Sequence, residues 1–162
     1  MTKSKGIPLR LLHPPGGRPP QGFLSGRYAG GRWVPHEVVV WGPKDAPELP
    51  GILRHELDHL RRYQSGVVYD MEEIFENAGF SEEESDEAAT LYDELLANYA
   101  QLEAGGPTRQ VRKQFMSYAN DALEEGTFSK GDIYAMDASA RRLLGWTGKS
   151  IVPSSWRRSI SA

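Results

Sequence analysis

The sequence predicts an α+β protein: a small N-terminal β-sheet, then one helix of particular chemical interest, then a mostly helical remainder. Two observations carry this. Gly, Pro and β-branched residues crowd residues 1–48, where short apolar pieces alternate with turn signals. From residue 49 onward apolar residues recur at helical spacing, in segments that open on capping residues and close on Gly or Pro. The 162 residues suit one domain, since roughly 150 residues per domain is usual. Within it, 1–48 is the β-rich part, 49–146 the helical part and 147–162 a tail.

In order, residues 7–12 and 23–24 are apolar pieces set between the turn signals Pro14-Pro15-Gly16-Gly17 and Gly30-Gly31. Glu37-Val38-Val39-Val40-Trp41, closed by Gly42-Pro43, is the clearest strand. A helix follows over Leu49–Gln64, and a short one over 71–77 ends at Gly79. Ser81 with Glu84 forms a capping box, preceded by Phe80 as a hydrophobic staple. That helix runs to about Glu103, where Gly105-Gly106-Pro107 stops it. Helices over Thr108–Glu125 and from Ser129, a second capping box with Asp132, to near Gly145 complete the core. Trp156 in the tail predicts that the tail docks.

Composition narrows the function classes. There is no cysteine, which removes disulfides, thiolate metal sites and cysteine nucleophiles together. Residues 1–66 carry ten Lys/Arg against five Asp/Glu, residues 67–105 twelve acids and no base, and residues 106–162 nine bases against five acids. An acidic middle block argues against nucleic acid as a partner and reads as an exposed acidic helical face with basic neighbours. Arg10 interrupts the short apolar run at the N-terminus, so it does not read as a secretion signal. No stretch approaches the roughly 18 apolar residues of a membrane span. The expectation is a soluble, cytoplasmic protein with no membrane partner.

The stretch that carries chemistry is GILRHELDHLRRYQSG, from Gly51 to Gly66. On a helix, His59 lies about 40° from His55, one turn away on the same face. Ile52, Leu53, Leu57, Leu60 and Tyr63 form one apolar arc, while Arg54, Asp58, Arg61 and Arg62 form the solvated one. The histidines sit at the seam. Glu56 falls inside the apolar arc, where an unpartnered carboxylate is costly, so it needs a task. His-Glu-x-x-His supplies one: two imidazoles bind a zinc ion, and the glutamate between them serves as general base toward water.

Catalytic zinc usually takes three protein ligands. His13 and His36 are candidates in poorly patterned segments. The acidic helix offers better ones: Glu87, Glu94 and Asn98 form a polar strip beside the apolar stripe of Leu91, Leu95, Tyr99 and Leu102. Packed through its apolar face, this helix can bring Glu94 to the histidines, with Glu87, two turns earlier, as the rival ligand.

Together, His55-Glu56-Leu57-Asp58-His59 and Asp93-Glu94-Leu95-Leu96-Ala97-Asn98 resemble the paired motifs of the gluzincin metallopeptidases, His-Glu-x-x-His and Glu-x-x-Ala/Ser-Asp/Asn. The resemblance covers about residues 33–104 and leaves the thermolysin-like, Ste24-like and ImmA/IrrE-like branches undecided. It implies a zincin-like fold. It implies His55, His59 and Glu94 as zinc ligands, Glu56 as the base, and Asn98 as a support of the ligand shell, commonly through the first histidine. It also implies that strand 37–41 is the sheet edge along which a peptide or protein substrate lies extended. Asn98 departs from the family's commoner Asp.

The expected function is zinc-dependent hydrolysis of peptide bonds, with Tyr99, Tyr118, Tyr134 and His36 as candidates to stabilise the transition state. The alternative is a catalytically silent zincin-fold structural or regulatory protein that keeps its zinc site. An intact Glu56 favours the enzyme, because a purely structural site has no need of a base.

Overall fold

The computed structural model describes residues 6–13 and 20–160, the side chains of 158–160 excepted, so the turn expected at 14–17 lies outside the described residues. The architecture is α+β: a three-stranded sheet followed by five helices. Strands β1 (Leu9–Leu12), β2 (Gln21–Ala29) and β3 (Arg32–Trp41) precede helices α1 (Leu49–Gln64), α2 (Val67–Asn77), α3 (Glu82–Glu103), α4 (Thr108–Glu125) and α5 (Lys130–Leu144), and a 3-10 helix spans Ser154–Ile160. Among the described residues no helix is long and apolar enough to cross a membrane.

β2 and β3 form an antiparallel hairpin closed by Gly30 and Gly31. Both have positive φ, 61° and 79°, the two-residue turn whose twist matches that of the strands. β3 runs back to Arg32 despite Pro35 because the register shifts there: Ser25 pairs with Glu37 and Gly26 with Pro35, leaving His36 as the extra residue of a bulge. Bulges are one of the few places a sheet accepts proline.

The sheet order is β1-β3-β2, with β1 parallel to β3. The segment Glu37–Trp41 is therefore central, and the expectation that it forms the sheet edge is corrected. The physical reason lies in Val38-Val39-Val40, all at most 2% exposed. A continuous β-branched run suits a strand covered on both faces, whereas a strand with one solvated face alternates. The strand with an unpaired edge beside the helices is β2.

Both expected capping boxes form. Ser81 Oγ accepts from Glu84 N while Glu84 Oε1 accepts from Ser81 N, and Ser129 and Asp132 repeat the arrangement. Two apolar clusters result. Val38, Val40, Ile52 and Leu60 join the sheet to α1. A larger one, including Leu95, Tyr99, Phe115, Ile133, Ile151 and Trp156, unites α3, α4, α5 and the tail. α3 lies between α1, α2, α4 and α5, and most of its circumference is buried.

The tail docks as expected, through a polar clasp as well as Trp156. Asp137, fully buried, accepts from the Tyr99 hydroxyl, from Arg141 Nε at 2.9 Å and from Ser150 Oγ at 2.5 Å. Tyr99 Oη in turn accepts the Ile151 N–H. Burial, then the Asp137 carboxylate, raises the Tyr99 pKa, so the hydroxyl stays a donor. Replacing Asp137 with alanine strands these donors in the core, and the chain should lose roughly 3 kcal/mol of stability. A urea titration checks this: the midpoint falls with an unchanged slope, and a loss under about 1 kcal/mol removes the clasp as a stabilising element.

Candidate metal centre

α1 and α3 pack against each other and bring His55, His59 and Glu94 together. The three are 2%, 6% and 8% exposed. His55 Nε2 and His59 Nε2 are 3.0 Å apart. His55 Nε2 lies 3.3 Å from Glu94 Oε2, and His59 Nε2 lies 3.1 Å from Glu94 Oε1. Donors held at about 2.0–2.1 Å by one tetrahedral ion stand roughly 3.3 Å from each other. The triangle thus has the dimensions of one face of such a coordination sphere.

The proton inventory fits as well. His59 Nδ1 is 2.6 Å from Asp93 Oδ2. A carboxylate can only accept, so this bond fixes the proton on Nδ1 and aims the Nε2 lone pair into the cluster. Asp93 is itself held by the Arg62 guanidinium, whose Nε binds its carboxylate and whose Nη2 donates to its backbone carbonyl at 3.1 Å. Arg62 also pairs with Asp58. Helical spacing puts Arg62 and Asp58 on the solvated arc of α1; they are instead half-buried, and Arg62, paired with Asp58, holds the Asp93 that anchors His59.

Electrostatics point the same way. Burial alone would raise the Glu94 pKa, but His59 and His55 outweigh it and hold the carboxyl below the ordinary range. Burial would lower the His59 pKa, but Glu94 and Asp93 carry it well above its usual value. Lone pairs this close repel unless a positive charge lies among them. A proton or a metal ion meets that need, and the buried His55, His59 and Glu94 group can bind a metal ion.

Glu56 stands beside the cluster, 5% exposed, and borders the same cavity as His55 and His59. Burial raises its pKa against the opposing pull of both histidines. The backbone of β2 covers it: a Cβ built on Gly22 would lie 2.7 Å from Ile52 Cγ2 and 2.9 Å from Glu56 Cγ. Glycine at position 22 is what allows the strand to approach Glu56 this closely.

The other candidates separate clearly. His13 Nδ1 bonds Gly42 O at 2.8 Å, and His36 is exposed on the bulge; neither belongs to the cluster. Glu87 faces Thr127 and Glu125 at the far end of α4 instead. Asn98 is fully buried, but its Nδ2 donates to Glu94 O at 2.7 Å. Its Oδ1 and His55 Nδ1 are both without a partner, so the support expected from Asn98 to the first histidine is not formed. Of the transition-state candidates, Tyr99 is committed to Asp137 and Tyr134 packs on the helical core. Tyr118 lines the cavity with His55 and Glu56, and the Glu94 carboxylate, with burial, pushes its pKa up to about 12.

That cavity, about 650 Å³, runs between Pro20–Phe23 on one side and α4 on the other, with Ile52, His55 and Glu56 also lining it. Comparison of the chain with family models, with curated proteins and with solved structures returns no match. What the cluster can do therefore rests on its own geometry.

Proposed function

We propose that this chain is a zinc-dependent metallopeptidase with a zincin-like arrangement of site elements. The observation that carries the reading is the convergence of His55, His59 and Glu94 at coordination spacing, with Glu56 beside them in an open cleft. Two imidazoles and a carboxylate form the three-ligand set typical of catalytic zinc, which keeps a further position for water or substrate. Bound there, zinc supplies a Lewis acid that lowers the pKa of water toward about 7 and polarises a carbonyl oxygen.

The chain's own groups do the rest. The Glu56 carboxylate takes a proton from the attacking water and returns it to the leaving amine, a role supported by its burial beside His55 and His59. Tyr118 stays protonated near neutral pH and donates a hydrogen bond to the carbonyl oxygen as charge develops on it. The free edge of β2 supplies backbone donors and acceptors to an extended substrate. A silent, purely structural site would leave unexplained why a buried acid faces the cleft beside the ligands.

The test is direct. Purified protein incubated with an unfolded, fluorescently labelled protein should cleave it, lose activity on chelation and regain it with added zinc. No cleavage under any metal supplementation would sink the enzymatic reading.

A further inference from the structure

Gln101 is fully buried, and neither Nε2 nor Oε1 has a partner. Leaving both halves of a carboxamide desolvated and unpaired costs more than either lost hydrogen bond alone. The fold nevertheless builds a seat for it. A Cβ on Gly51 would lie 3.2 Å from Gln101 Cγ, and one on Gly106 only 2.8 Å from it. Gly51 sits inside α1, where glycine weakens a helix. Two glycines thus make room for a side chain that satisfies nothing within the described residues.

Gln101 borders the cavity beside the metal cluster. It lies seven residues after Glu94 on α3, two turns along nearly the same face, which is roughly 10 Å of helix and about three residues of an extended strand. Opposite lies Pro20–Phe23, leading into β2 and its free edge. Gln110 and Gln114, one turn apart on α4, add two more carboxamides to the wall. Such a wall has the chemistry of a peptide backbone, since each primary amide offers one acceptor and two donors. Lys113 and Asp121 stand among them, so the wall is polar without one dominant sign of charge.

We infer that Gln101 turns its carboxamide out of this seat into the cleft and reads the main chain of an extended polypeptide there, pairing with a peptide N–H and C=O on the strand edge turned away from β2. This rests on the reading of the cleft as a substrate site. The substrate class is then an unfolded or extended segment, recognised through both backbone edges with little regard to side chains.

The test uses metal-free protein, so that nothing is cleaved, and the probe acetyl-Ala-Thr-Val-Thr-Val-Ala-amide, titrated by NMR together with analogues N-methylated at one amide each. Gln101→Met keeps the side-chain volume and removes the polar atoms. It should be as stable as wild type or more so, yet bind the probe about three- to tenfold more weakly, the worth of a hydrogen bond or two. At least one N-methyl analogue should bind wild type more weakly than the parent does while binding Gln101→Met as well as the parent does. Equal binding of the probe by wild type and Gln101→Met overturns the inference. So does stability lost together with binding, which marks a structural glutamine, and so does wild type that does not bind the probe. Zinc content and hydrolysis are measured separately, so a failed peptidase reading and a failed role for Gln101 leave different traces.

Discussion

A Glu56→Gln chain should hold as much zinc as wild type and hydrolyse an unfolded protein substrate about 10²–10⁴-fold more slowly, the usual worth of a positioned general base. Glutamine keeps the shape of the side chain. That matters because Glu56 Cγ lies directly under β2, where even a methyl group on Gly22 would approach it to 2.9 Å. An alanine at position 56 would open a hole and confound the chemistry with packing. The amide cannot take a proton from water at any accessible pH, so the loss appears in the chemical step. Zinc content should be unchanged because the three converging donor atoms belong to His55, His59 and Glu94. Steady-state rates and elemental mass spectrometry on the same preparation check both halves. Cleavage at the wild-type rate would remove Glu56 from the mechanism.

Removing a ligand should act on the metal itself. Wild type purified without chelator or affinity metal should carry about one zinc per chain, as a single three-ligand site predicts, and His55→Ala and Glu94→Ala should each carry almost none. Asp93→Asn should retain the site with about 10–100-fold weaker affinity. The amide can still face His59, but it loses the full negative charge that holds the Nδ1 proton and is itself gripped by Arg62. Full zinc in Glu94→Ala would remove the third ligand from the reading and leave a two-histidine site. Asp93→Asn indistinguishable from wild type would mean that His59 is oriented by packing alone.

The parts of this site that show in the sequence are those a single helix encodes. His55, Glu56 and His59 share one helix, and their spacing puts them at one seam whatever surrounds them. Glu94 required a second element and was reachable because its strip borders the apolar stripe of α3. Asp93 was not, since a one-stripe reading places it away from that strip. α3 is packed by four helices, and its run from Leu91 to Gln101 is buried at every position but Tyr92. A signal existed: that run has no Lys or Arg and is dense in Leu and Ala, as in helices buried all round. Arg62 escaped for the same reason, its partner being invisible from α1 alone. The strand order escaped because pairing is non-local, although Val38-Val39-Val40 carried the mark of a central strand.

The two apolar clusters share no residue: one holds the sheet to α1, the other holds α3 to the helices behind it. Between them lies a joint that includes the polar set His55, His59, Arg62, Asp93 and Glu94. Parting that joint would expose those charged and imidazole groups, and less hydrocarbon than unfolding either cluster. Its heat-capacity change and its denaturant slope would both be small. The metal-free chain should therefore have an opening motion that urea barely promotes, distinct from global unfolding, and seen as exchange of α1 and α3 amides whose rates stay flat at low denaturant.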